Sequence, residues 1–254
     1  IEGYASTTET GTGGLTGVVP IITKGRAEAE SAAVDINYFL GYRLSDMRLV
    51  ADFEDNATSA NHPVVSTGAG GVLSNCIWTH VAATYNTTTD EWKLYINGVL
   101  NTTLAAGGNF TPQSASNVNA CIGSTLNTGT SIRSGFFNGR MDEVRIWNTI
   151  RTDAEILANY NSQLISGTGL AGRWGLNEGS GTSAGNSIAG GALGTLVRNP
   201  LWVTGFNQTD PTTNSSLDFN GTEDYITFGA APGLNTPSGT FTVEAWIKIE
   251  GTGI

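Results

Sequence analysis

Two adjoining runs constrain this chain most: WTHVAATYN (78–86) and EWKLYINGVL (91–100), joined through NTTTD (86–90). Both are rich in β-branched and aromatic residues. The second sets Trp92, Leu94 and Ile96 at alternate positions, which is the period of one strand face. Asn97-Gly98 then offers the positive φ angles of a type I′ turn. A sequence with these spacings closes as antiparallel hairpins, and a hairpin alone buries too little to stand in water. The rest of the chain has to supply more strands of the same kind.

It does so. PIITKG (20–25) and INYFLGYRL (36–44) read as strands. In MRLVADFED (47–55), Leu49, Ala51 and Phe53 alternate with Arg48, Asp52 and Glu54, the pattern of a half-buried strand. CIGST (121–125), FFNG (136–139) and MDEVRIWN (141–148) continue the series. After SGTG (166–169) come LAGRWGLNEGSGT, GALGTLV, PLWVTG, SLDFNGTEDYITFG and FTVEAWIKIE, split by Gly, Asn and Ser. One helix is expected over 152–163, where Thr152 and Glu155 form a capping box and Ile156, Leu157 and Tyr160 a short apolar stripe. Only 13% of residues are charged, about half the usual share, and 34 are glycine. The fold class expected is all-β, a two-sheet antiparallel sandwich with one short helix. No long motif recurs within the chain, which excludes a short-period solenoid.

The net charge is -10, and the 12 basic residues are scattered singly. That leaves no electrostatic footprint for nucleic acid. No apolar run approaches the roughly 18 residues of a membrane span, and no signal peptide is recognisable. An acidic surface suits an extracellular or cell-surface setting and divalent cations, and serves solubility equally well. Cys76 and Cys121 both lie in or beside strand-like runs, open to either a disulfide or two buried thiols.

WTHVAATYN…EWKLYINGVL…IGST…FFNGRMDEVRIWNTIRTDAEI resembles the second half of a LamG-like jellyroll domain of the concanavalin A-like lectin/glucanase fold. LAGRWGLNEGSGT…GTLV…WVTG…SSLDFNGTEDYITFG…FTVEAWIKI resembles the first half. The order is inverted: residues 1–163 hold the closing half, 164–167 a linker and 168–254 the opening half. The resemblance implies a jellyroll of the kind found in tandem-repeat extracellular proteins of bacteria. Three arrangements account for the inversion: a permuted chain closing one sandwich on itself, one period of a tandem array whose halves pair with neighbouring copies, or a fragment of a longer protein. The tripeptide IEG stands at 1–3 and again at 249–251, as repeats in register would show. The partners expected are therefore other copies of the same repeat, with cohesion in a filament or surface fibre as the main function and glycans as alternative ligands.

Glucanases of this broad fold carry alternating acids on one strand, because retaining hydrolysis needs two carboxyl groups about 5 Å apart. The nearest pairs here are Asp52 with Glu54, Asp142 with Glu143, and Glu244 with Glu250, and none reproduces the pattern. Asp142 and Glu143 are adjacent, so a regular strand points them to opposite faces. His62 and His80 have no catalytic motif around them. The expectation is a non-enzyme with no catalytic residue.

The resemblance also implies a structural Ca2+. Asp142, in MDEVRIW, is its side-chain ligand, backbone oxygens near Asn177 and Gly221 complete the shell, and Glu178 or Asn220 are further candidates. Capping a turn or bonding backbone amides would account for the same residues, and the family pattern has Asp where Asn177 and Asn220 stand. For sugar binding, Trp246 shares a strand face with Thr242, Glu244 and Lys248, so Glu244 and Trp246 are candidates; Val243, Ala245, Ile247 and Ile249 share the other face. Either face suits the core, and Trp246, Trp174, Trp147 and Trp78 read equally as core aromatics. Asn-x-Ser/Thr glycosylation signals stand at Asn56, Asn86, Asn101, Asn109, Asn207, Asn214 and Asn220.

Overall fold

In the computed structural model, residues 17–25, 35–128, 132–206, 214–236 and 238–253 are described. Their strands, in chain order, are β1 (Val18–Lys24), β2 (Tyr38–Arg43), β3 (Arg48–Asp52), β4 (Val64–Val65), β5 (Thr79–Asn86), β6 (Glu91–Ile96), β7 (Val99–Ala105), β8 (Ala120–Ile122), β9 (Ser124–Thr128), β10 (Ile132–Phe136) and β11 (Asn138–Trp147). Helix α1 (Asp153–Asn159) follows. Then come β12 (Leu170–Trp174), β13 (Ser183–Ala184), β14 (Gly194–Val197), β15 (Leu201–Thr204), β16 (Ser215–Asn220), β17 (Tyr225–Thr227) and β18 (Phe241–Ile249).

The strands form two large antiparallel sheets and a small ribbon of β9 and β10. One sheet runs β13-β14-β17-β8-β1-β2-β3-β4 and the other β15-β16-β11-β18-β5-β6-β7, with β12 also paired to β11. This is the two-sheet jellyroll sandwich that the strand pattern implies. Both sheets mix the two halves of the chain. β18 lies between β11 and β5, and β17 pairs with β8. Two strands that come late in the sequence, β17 and β18, thus lie inside the sheets beside strands of the first half. At the far end, a Cβ built on Gly253 would stand 3.2 Å from Val19 Cγ1, so the exit from β18 runs beside the start of β1.

Between the sheets lies one continuous apolar core. Trp92, Tyr85, Phe53 and Phe241 pack there with ring centroids 4.4 to 6.4 Å apart. Trp92 is fully buried, and truncating such a residue to alanine costs about 3–5 kcal/mol. The β5–β6 hairpin follows the sequence reading: Trp92 and Leu94 face the core with Ile96 packed beside them, and Asn97 and Gly98 have φ of 50° and 76° at the turn into β7. β3 differs from it. Its polar face is also buried, with Asp52 1% and Glu54 0% exposed, because Val18, Ile36, Phe39 and Val50 form a second small apolar cluster behind that sheet. The helix is shorter than the 152–163 expected. Its capping box forms as read, but only Ile156 is buried, Leu157 is exposed, and the chain leaves the helix at Tyr160.

Candidate functional site

The face of β18 that carries Trp246 decides where the sandwich can meet a ligand. Val243, Ala245, Ile247 and Ile249 point into the core. Thr242, Glu244 and Trp246 point the other way, yet they too are shielded: Glu244 is 2% and Trp246 4% exposed. The segment after β11 folds back over them. Trp246 Nε1 donates to the Tyr160 carbonyl at 2.8 Å, and Phe206 stacks on the Trp246 ring at 3.6 Å with planes 16° apart. Glu244 and Trp246 therefore make no open sugar platform.

Beneath that cover lies a chain of buried charges. Glu244 accepts from Trp147 Nε1 at 2.8 Å, His80 Nε2 at 3.1 Å and Arg145 Nη1 at 3.4 Å. Arg145 also donates to Glu143 and to the Ser162 carbonyl, and Arg173 of β12 forks onto Glu143. Burial pushes the Glu244 carboxyl up, but Arg145 and His80 outweigh it and hold the group at about 2. Burial lowers the His80 pKa despite its bond to Glu244. Such a network specifies which strands lie side by side and is costly to break at one member.

Asp142 stands apart from it. β11 bulges there: Asp142 opposes Trp246 and Arg145 opposes Glu244, so two residues face one, and Glu143 takes a φ of 50°. Met141 and Val144 both reach the core, and the two acids between them do not. The expected opposition of adjacent acids is thus undone by the bulge. Asp142 Oδ2 accepts from the Phe206 amide at 3.1 Å, while its buried Oδ1 has no partner among the described residues. Burial, and then the charge of Glu143, push its carboxyl up to about 8.

An unmet carboxylate oxygen is what a hard cation seeks. Of the other expected ligands, only Asn177 comes near. Its Oδ1 accepts from the Ser215 amide at 3.4 Å, and a Cβ on Gly205 would touch both the Ser215 carbonyl and Asp142 Oδ2. Asn220 and Gly221 lie elsewhere. Asn220 opposes Asn138, four positions along β11 from Asp142, or about 13 Å at strand rise. Its Oδ1 accepts from Thr222, Glu223 and Asp224 as a turn cap. Exposed Glu178 accepts from the Gly185 amide. Asp142 thus offers one unmet oxygen with Asn177 on the neighbouring segment, and Glu178, Asn220 and Gly221 do not converge on it. Among the described residues, no three His, Cys, Asp or Glu side chains gather as a metal-binding group.

The two cysteines are not joined to each other: Cys76 is exposed on the loop before β5, and Cys121 is buried in β8. Of the glycosylation signals, Asn56, Asn109 and Asn220 are exposed, and Asn86, Asn101 and Asn214 partly so. Asn207 lies outside the described residues. Asn101 is committed, accepting from the Thr67 amide and donating to its carbonyl.

Three surface features complete the inventory. A cleft of about 360 Å³ opens between β5, β6 and the start of α1, lined by Thr84, Asn86, Glu91, Lys93, Tyr95 and Asp153. Beside it Arg151 is 9% exposed, lies over the Trp147 ring at 4.2 Å, and has a buried Nε without a partner among the described residues. The other two features are the terminal strands of the β18-containing sheet, β7 and β15, which carry exposed Val99, Leu100 and Leu104, and exposed Leu201. The strand reading locates β7 and β15, but not their place at the sheet margins, because strand order depends on long-range pairing. The lack of any charge from Leu94 to Ile132 was the available signal.

Two eight-stranded sheets packed face to face define a jellyroll of the lectin-like sandwich class. The sequence model of the family described as the concanavalin A-like lectin/glucanases superfamily, Laminin_G_3, matches residues 19–157, more than half of the chain, and the chain belongs to that family. No curated protein and no solved structure matches it.

Proposed function

We propose that this chain is a non-catalytic structural or adhesive module of the cell surface or extracellular space, whose work is cohesion between copies. The observation that carries this reading is the uncharged, apolar character of both margins of the β18-containing sheet. β7 exposes Val99 at 60%, Leu100 at 38% and Leu104 at 44%, and β15 exposes Leu201 at 57%. An unprotected strand edge is a template for another chain. Cohesion of this kind does not need one copy to complete another's sheets, since β18 already fills the gap between β5 and β11 of its own chain. The non-catalytic reading rests on the burial of five of the six candidate acids, Asp52, Glu54, Asp142, Glu143 and Glu244, all 2% exposed or less, and on the pairing of the sixth, Glu250, with Arg140 and Lys248. A Ca2+ ion held by Asp142 and Asn177 would neutralise a buried carboxylate and tie β11 to the β12–β13 connection. Sedimentation velocity over a concentration series tests the cohesive reading: species that grow with concentration support it, and a monomer throughout rejects it.

A second reading, a calcium-dependent carbohydrate-binding module, is favoured by the cleft at the start of α1. Its hydroxyl, amide, carboxylate and ammonium groups suit a polyhydroxylated ligand. A glycan array probed with and without calcium tests it, and an array without hits in either condition rejects it.

A further inference from the structure

Resting on the cohesive reading above, we infer that copies associate head to tail, β7 of one molecule adding to β15 of the next so that one sheet runs through successive copies. These strands are the two ends of a single sheet, and each has one ladder partner among the described residues, β6 for β7 and β16 for β15. Each therefore presents a row of outward backbone donors and acceptors. Natural sheets guard such rows with charge, proline, bulges or short strands. VLNTTLA and LWVT contain no charge and no proline, while β7 has one bulge and β15 is short. The irregularity in β7 is a bulge between Leu100 and Thr102, where Asn101 is tied to Thr67.

Charge argues for the same pair of surfaces. A chain with a net charge of -10 repels its copies over most orientations. The repulsion is least where net charge is low; β7 and β15 carry no charge themselves, and the ladder neighbours beside them, Glu91 and Lys93 on β6 and Asp218 on β16, are of both signs. Shape agrees. Beside β15 an open concavity of about 370 Å³ is lined by Trp202, Val203, Thr204, Gly179, Asn214 and Ser215. Its lining is mostly polar, with Trp202 and Val203 as its apolar side chains. A β7-to-β7 dimer would leave Leu201 and this concavity in water in every copy. Head-to-tail contact covers both edges, and because it joins unlike surfaces it continues into a filament unless the rotation between copies closes a ring.

The test uses Leu104→Lys, which charges β7, and Leu201→Lys, which charges β15. Both side chains are exposed, and circular dichroism with thermal melting checks that each variant folds. A second pair, Val99→Lys and Thr204→Lys, substitutes if either does not. In sedimentation velocity the unaltered chain is expected to form species that grow with concentration, each variant alone to stay monomeric, and an equimolar mixture to stop at dimers, because only one compatible pair of edges is then left. A dimer formed by Leu201→Lys alone would overturn the inference in favour of β7-to-β7 contact. Variants that assemble as the unaltered chain does would overturn it while leaving cohesion standing. An unaltered chain that is monomeric at every concentration would overturn the cohesive reading itself.

Discussion

Ala83 on β5 and Val243 on β18 are direct partners across one ladder, although they come from opposite halves of the chain. Both face the core. This pairing makes the inverted order of strands compatible with one closed sandwich. It also bears on whether halves are exchanged between copies. Ala83→Cys with Val243→Cys, in a background with Cys76→Ser, is expected to give an intrachain disulfide on mild oxidation, read as a faster monomer band on a non-reducing gel. A ladder of covalent oligomers would mean that β18 is supplied by a neighbour.

Glu244 is the hub of the buried charges, so Glu244→Gln leaves Arg145 with a weaker partner and is expected to cost about 3–5 kcal/mol at neutral pH. The sign with pH follows from its lowered pKa. A carboxyl held at about 2 contributes stability above its ordinary value near 4.5, and that contribution is lost as pH falls from there toward 2. The gap between variant and unaltered chain in urea unfolding is therefore expected to narrow at acid pH. A gap that stays constant down to pH 2.5 would mean that packing, not charge, sets the cost.

For Asp142 the sign is reversed. Its carboxyl is raised to about 8, so the folded chain holds a proton that the unfolded one releases, and stability falls as pH rises from about 4 to about 8. Asp142→Asn lacks this penalty and is expected to melt higher than the unaltered chain at pH 9 while matching it near pH 4. Calcium is expected to raise the melting temperature of the unaltered chain at pH 8–9 and to leave the variant unmoved. Equal responses of both proteins to calcium would remove Asp142 from any cation site.

The glycosylation signals separate by what their side chains already do. In a glycosylating host, peptide mapping is expected to find glycan at Asn56 and Asn109, whose side chains are exposed. Asn101 is expected to stay bare, because its amide nitrogen is paired with the Thr67 carbonyl. Full occupancy at Asn101 would show that the Thr67 pairing opens readily.

What was legible in the sequence, and what was not, divides by range. Trp92, Leu94 and Ile96 announce their face through a two-residue period, and Asn97-Gly98 announces its turn through local φ preferences; both stand as read. Thr152 and Glu155 announce the helix start for the same local reason. The candidate site was less legible because its parts meet only through tertiary contact. Nothing near Trp246 in the sequence says that Phe206 will lie on it. Nothing near Asp142 says that Glu143 will adopt a positive φ and bring both acids to one side. Arg145 and Arg173 are two of the singly scattered basic residues, and only the pairing of β11 with β12 and β18 makes them the counterions of Glu143 and Glu244.

The cohesive reading meets its most direct test in hydrogen–deuterium exchange of the native chain, compared between dilute and concentrated solution. The amides of β7 and β15 have one free ladder side among the described residues. They are expected to exchange freely when dilute and to slow together, by ten-fold or more, when concentrated, while the amides of β5 and β18 stay equally protected in both. Exchange in β7 and β15 that does not depend on concentration would contradict edge-to-edge cohesion. Slowing confined to other segments would place the contact elsewhere on the molecule.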